Sequence, residues 1–198
     1  MKLYMTEMSG NSFKVRVLAA ILGVELEQVR INWEGGEHKS PSFLALNPRG
    51  QVPVMEIEDR IFWDSTAHLV YLARRFGGED WLPSDPLDEA EVMQWMSFAQ
   101  DEVQFGLQWA RGVTVYDRRP DSFAGYLEDG RTALAVLERQ LERTDDWLAL
   151  GRATLADIAC YPYVKRAPEG DLPLDDYPAV RAWLERCEAL PGWFAMDP

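Results

Sequence analysis

Pro53 constrains this chain more than any other residue, because it heads a run that otherwise reads as a strand, Val54-Met55-Glu56-Ile57. Proline has no N–H to give a sheet ladder, so it is tolerated where it opens a strand and not within one. A cis bond between Val52 and Pro53 makes such an opening a tight, fixed turn. The N–H and C=O of Val52 are then left out of the ladder and can pair with a short, extended, peptide-like ligand. An ordinary loop-to-strand proline is the other reading of these residues taken alone.

The surrounding pattern changes character once along the chain. Residues 2–5 and 27–32 read as strands, and between them residues 13–22 place Val15, Leu18, Ala19 and Leu22 at helical spacing, ended by Gly23. A loop with a short helix covers residues 34–46. Residues 54–57 and 60–63 form two strands about the turn at Glu58-Asp59, and residues 65–76 a helix stopped by Gly77-Gly78. The order βαβ, helix, ββ, α describes a small open sheet with one right-handed crossover. Beyond it the signals are all helical, over residues 88–109, 122–143, 154–165 and 177–190. The expected division is an N-terminal domain over 1–77 and an all-helical domain over 84–198.

Charge changes at the same place. The net charge is −13, yet residues 1–77 carry nine Lys or Arg and nine Asp or Glu, so the remainder holds the whole excess. Such a surface argues against nucleic acid, which needs clustered Lys and Arg, and it assigns a small anionic ligand to the first part. No apolar run reaches membrane-spanning length. The first residues lack the apolar core of a signal peptide, which makes cytoplasm the expected location. The two cysteines, Cys160 and Cys187, have no metal-ligand spacing and are too few for a disulfide framework.

A βαβ–α–ββα module with proline opening its third strand, followed by helices alone, resembles the cytosolic glutathione transferase family along essentially the whole chain. Four stretches carry the resemblance in order and spacing: Gly36-Glu37-His38, Asn47-Pro48 with Val52-Pro53, Asp64-Ser65, and Thr154-Leu155-Ala156-Asp157. The resemblance implies a fold of an α/β thioredoxin-like N-terminal domain plus an all-α C-terminal domain. It also implies glutathione as co-substrate, a homodimer, and no metal or covalent cofactor. The N-terminal loop is similar to that of bacterial, serine-type, theta- and zeta-like members.

In that resemblance Val52, fixed by Pro53, pairs its backbone with the cysteinyl part of glutathione. Ser65 and its neighbouring amides, at a helix N-terminus, hold the γ-glutamyl carboxylate. Asp64, where the family commonly carries Glu, holds the ammonium, with help from the partner subunit. Without Pro53 beside it, Asp64-Ser65 also reads as a plain N-cap with an acidic first turn. His38 and Lys39 hold the glycyl carboxylate, or else form a solvated surface pair, and Gln51 adds a polar contact.

The chemistry such a site needs is modest. A cysteine-like thiol has a pKa near 8.5 and its thiolate is the nucleophile, so a hydroxyl donor and helix N-terminal amides suffice to activate it. Ser9 is the candidate hydroxyl, Asn11 the secondary candidate, and Ser12 the helix cap; a turn and cap without chemistry is the alternative for residues 9–12. The loop holds no cysteine, which removes the nucleophile of thiol exchange. Cys160 and Cys187 read as buried hydrophobes, Tyr4 as structural, and His68 as structural or near a subunit contact. Phe98, Glu102, Phe105 and Trp109 share one helical face, by periodicity a core stripe. The resemblance places Phe105, Trp109, Arg111 and Tyr116 in the electrophile pocket, where aromatic walls suit a planar or apolar molecule. Thr154 and Asp157 form a capping box that fixes a buried helix. The expected function is glutathione transfer to a small apolar or aromatic electrophile. A glutathione-dependent isomerase or lyase and a non-catalytic binding protein are its rivals.

Overall fold

Lys2 and Tyr4 alternate with the buried Leu3 and Met5 along β1 (Lys2–Met5), the period-2 pattern of a strand that packs a helix on one face. β1 pairs in parallel with β2 (Glu27–Arg30), Lys2 opposite Glu27 and Met5 opposite Arg30. On its other side it pairs antiparallel with β3 (Val54–Ile57), Tyr4 opposite Val54. β3 turns at Glu58-Asp59 into β4 (Arg60–Trp63), giving a four-stranded sheet of order β2-β1-β3-β4. The structure is a computed structural model and describes residues 1–144 and 146–196.

Helix α1 (Gly10–Ile21) makes the crossover from β1 to β2 and packs against α3 (Ser65–Leu72), burying Phe13, Val15, Val17 and Leu18. It starts three residues before the apolar periodicity does, because its N-cap is Ser9, with Ser9 Oγ accepting from the Ser12 N–H at 3.1 Å. The expected cap, Ser12, is corrected: it lies inside the first turn with its side chain buried. The 34–46 region holds one 3-10 turn (Glu37–Lys39) and α2 (Pro41–Leu46), capped by Ser40. α3 continues into a wider π-type turn, Ala73–Gly77, where a regular helix was expected to residue 76.

By internal contacts the chain divides into two units, Met1–Gly78 with Pro191–Pro198, and Glu79–Leu190. Residues 197–198, the end of the expected second domain, lie outside the described residues. The last described segment belongs with the sheet: the rings of Trp193 and Phe194 meet the edge of Phe13 at 5.8 and 5.3 Å.

The second unit holds α4 (Gly78–Trp81, beginning at the boundary), α5 (Pro86–Gln100), α6 (Trp109–Tyr116), α7 (Phe123–Thr144), α8 (Leu155–Lys165) and α9 (Pro178–Glu188). The single helix expected over 88–109 is broken at Asp101 (φ −103°, ψ −87°) and resumes as a π-type turn, Val103–Gln108. Close approach is the accompanying constraint: a Cβ on Gly106 would sit 2.5 Å from the Gly130 N of α7. α8 is buried from Leu155 to Val164 and is started by the capping box, with Asp157 accepting from the Thr154 N–H at 2.9 Å. Asp157 also accepts from the Leu148 N–H at 3.2 Å and from Trp183 Nε1 of α9 at 2.9 Å. Among the described residues, no helix is long and apolar enough to cross a membrane.

Candidate functional site

The β1–α1 loop delivers a hydroxyl to a helix N-terminus. Ser9 has extended backbone (φ −84°, ψ 113°), which turns its side chain back over the first turn of α1. Its oxygen accepts from the Ser12 N–H, so its own proton remains to be donated to an anion. The helix dipole adds positive potential at the same point. Asn11 Oδ1 is buried without a hydrogen-bond partner among the described residues, which leaves a polar atom of the first turn to be satisfied. Tyr4 does not share this role. Its hydroxyl donates to Glu56 Oε2 at 2.9 Å, and burial, then that carboxylate, push the phenol above its ordinary pKa.

The Val52-Pro53 bond is cis. Val52 stands before the paired register, which begins with Val54 opposite Tyr4, and among the described residues its N–H and C=O make no hydrogen bond. Its side chain packs against the cluster of Ile31, Phe43 and Val54. A residue anchored by its side chain and open along its backbone suits an extended ligand.

The loop leading into Val52 is braced by side chains. Asn47 Nδ2 donates to the Gln51 O at 2.7 Å, and Asn47 Oδ1 accepts from the Arg49 N–H at 3.0 Å. Lys39 Nζ donates to the Arg49 O at 3.3 Å and the Gly50 O at 3.1 Å, so two of its three N–H groups hold the loop. Gly50 permits this, with φ +59° and the Lys39 amine 2.7 Å from where a Cβ would stand. His38 stacks on Trp33 with ring centroids 3.8 Å apart and planes at 8°. Gln51 itself is exposed.

Asp64 caps α3 at φ +87°, a conformation rare for any residue with a side chain. Its Oδ1 accepts from the Thr66 N–H at 3.0 Å, and its Oδ2 pairs with Arg49 at 3.0 Å. Ser65 follows, buried at the first position of the helix. Beneath them His68 Nε2 donates to the Phe62 O at 2.9 Å; a carbonyl can only accept, which fixes the tautomer. Burial lowers the His68 pKa, so the ring is neutral at pH 7 and ties α3 to β4. Arg49 escaped the sequence reading, because the pairing spans 15 residues and the Asn-Pro-Arg-Gly turn signals a loop and nothing more.

Comparison with known proteins now decides the family. The model of the glutathione S-transferase N-terminal domain matches residues 1–74, and that of the C-terminal domain residues 126–191. Glutathione S-transferase 1 of Manduca sexta is 30% identical over 194 residues, covering 96% of this chain and 88% of its own. The chain belongs to the glutathione S-transferase family. A crystal structure of a possible glutathione S-transferase from Rhodopseudomonas palustris superimposes with a TM-score of 0.91 at 38% identity, covering 100% of this chain and 90% of its own. A maleylacetoacetate isomerase of Pseudomonas aeruginosa is 27% identical, covering 100% of this chain and 96% of its own.

Within this family member the residues expected to line an electrophile pocket fall into three places. Phe105 is half exposed and, with Asp101, Glu102, Asp129 and Thr132, lines a cavity of about 400 Å³. Trp109 stacks on Tyr126 with centroids 6.0 Å apart and has the Arg119 guanidinium 4.5 Å from its ring centroid. Arg111 is buried and donates through Nε to Glu169 at 2.5 Å and through Nη1 to the Tyr116 hydroxyl at 3.4 Å, while its Nη2 is buried without a hydrogen-bond partner among the described residues. Cys160 and Cys187 are both buried, and burial raises the Cys187 thiol well above its ordinary pKa.

Proposed function

We propose that this protein is a serine-type glutathione transferase in which Ser9 stabilises the glutathione thiolate for attack on a small apolar or aromatic electrophile. The observation that carries this reading is the Ser9 hydroxyl, oriented by the Ser12 N–H at the start of α1. Glutathione would lie along Val52, with its γ-glutamyl end at Asp64 and Ser65 and its glycyl carboxylate near His38 and Lys39. Gln51 would add a polar contact and Asn11 would assist Ser9. The sulfur's electron pair forms the new C–S bond, and the leaving group departs with its own pair.

The magnitudes are adequate. A two-unit lowering of the thiol pKa needs about 2.7 kcal/mol. One charge-assisted hydrogen bond supplies about 1.5–3 kcal/mol and a helix N-terminus about 0.3–1 kcal/mol more. The test is ultraviolet difference absorbance of protein-bound glutathione against pH. Wild type should show thiolate well below the free thiol's pKa, and Ser9→Gly, which retains a tolerable N-cap, should return it toward the free value. An unchanged titration in Ser9→Gly removes Ser9 from the role.

A second reading is favoured by the isomerase relative, which covers the entire chain. In isomerisation the thiolate adds and is later expelled, so glutathione is returned; in transfer it is consumed, and product analysis separates the two. The reading includes a cytoplasmic homodimer with a part in detoxification. The exposed Ile61 and Phe76 offer apolar surface to a second copy, which sedimentation of the purified protein tests.

A further inference from the structure

We infer that Arg49 is a specificity-determining residue that reads the α-carboxylate of the ligand's γ-glutamyl end, working with Asp64 as one half of a matched charge pair. The inference rests on the reading that this end of glutathione lies at Asp64 and Ser65, and it adds a residue from a different loop.

Both oxygens of Asp64 have partners within the chain. Oδ1 caps α3 through the Thr66 N–H, and Oδ2 is held by the Arg49 guanidinium at 3.0 Å. A ligand ammonium approaching Asp64 therefore meets a cation already in place. A ligand that brings an ammonium alone must displace or crowd Arg49 and leave that charge uncompensated. The α-amino-acid end of a γ-glutamyl peptide brings an ammonium and a carboxylate on the same carbon. Its ammonium can take Asp64 while its carboxylate, seated at the Ser65 end of the helix, also takes Arg49, so one ion pair opens and two form. The planar guanidinium fork suits a carboxylate bidentately.

The rest of the surroundings fits a held receptor better than a wandering surface side chain. Arg49 is fixed at its backbone N–H by Asn47 Oδ1 and at its carbonyl by Lys39 Nζ. Its guanidinium lies 5.5 Å from the centroid of the Trp63 ring, and Trp63 precedes Asp64 in the chain. The side chains of Arg49 and Asp64 keep 44% and 33% of their accessibility, so a solute can reach both. An exposed ion pair of this kind is weak and opens easily, whereas its geometry arrives preassembled.

Calorimetric titration of the full-length protein distinguishes the possibilities, using glutathione and its analogue lacking the α-carboxylate (4-aminobutanoyl-cysteinyl-glycine). Wild type should prefer glutathione by roughly ten- to a hundredfold, the range of a charge-assisted contact. Arg49→Gln should lose most of that preference, weakening glutathione while binding the analogue as well as wild type or better, since a competing cation has gone. Arg49→Lys, which restores the charge without the fork, should recover part of the preference and guards against a folding defect in Arg49→Gln. Equal losses for both peptides in Arg49→Gln, or no loss for either, overturn the inference while the reading of glutathione as ligand stands. Failure of wild type to bind glutathione at all overturns the underlying reading and the inference with it.

Discussion

Replacing Asp157 by alanine isolates the buried carboxylate on which the helical unit turns. The side chain is fully buried and accepts from three N–H groups: Thr154 and Leu148 of the backbone and Trp183 Nε1. Truncation leaves all three donors buried without a partner, at about 1–3 kcal/mol each, or roughly 6 kcal/mol in total. Working against this is the charge itself. Burial raises the Asp157 pKa from 3.8 to about 6, with the hydrogen bonds from Trp183, Thr154 and Leu148 opposing.

A folded pKa above the unfolded one means that the folded state binds more protons between the two values. The stability associated with Asp157 is therefore full below pH 3.8 and is lost as pH rises through about 6. The complete loss is about 3 kcal/mol, at about 1.4 kcal/mol per pH unit. Roughly half of it falls between pH 5 and 7.5, both above the sequence pI of about 4.6. Urea denaturation of wild type and Asp157→Ala at those two pH values gives the difference directly, because the other titrating groups cancel. The variant should be less stable by about 3 kcal/mol at pH 7.5 and by about 1.5 kcal/mol more at pH 5. A deficit below about 1 kcal/mol at pH 7.5, or one that grows as pH rises, would refute the argument.

Gly50→Ala forces a side chain onto φ +59° and into the space of Lys39 Nζ and the His38 carbonyl. It should cost about 1–2 kcal/mol of stability in urea denaturation and weaken glutathione binding, because the loop before Val52 loses its brace. Cys160 and Cys187 should both resist N-ethylmaleimide at pH 7 in the native protein and react promptly in denaturant, counted by mass spectrometry, since burial hides both thiols.

The sheet was legible in the sequence because strands of this kind announce themselves locally. Leu3 and Met5 alternate with Lys2 and Tyr4, Glu58-Asp59 breaks one hairpin, and Pro53 marks where a ladder must begin. Thr154 and Asp157 were legible for the same reason: both halves of the capping box lie within one helical turn. The first cap of α1 was not, because Ser9, Asn11 and Ser12 are all competent residues within four positions, and backbone conformation alone selects Ser9. The break after Gln100 was hidden because a π-type turn keeps apolar residues near helical spacing, and the contact between Gly106 and Gly130 joins residues 24 apart.

The candidate ligand contacts of the first unit share a physical trait that local sequence patterns do not reveal. Each is held by a neighbour that is not itself expected to touch the thiol. Ser9 is turned by the Ser12 N–H, Val52 follows a loop bracketed by Asn47 and Lys39, and Asp64 is set by the Thr66 N–H at the cap of the helix that His68 ties to β4. Groups already ordered before binding do not lose that freedom when a ligand arrives, so more of the contact energy appears as affinity. In the helical unit Phe105 borders a cavity, while Trp109 and Tyr116 belong to separate clusters.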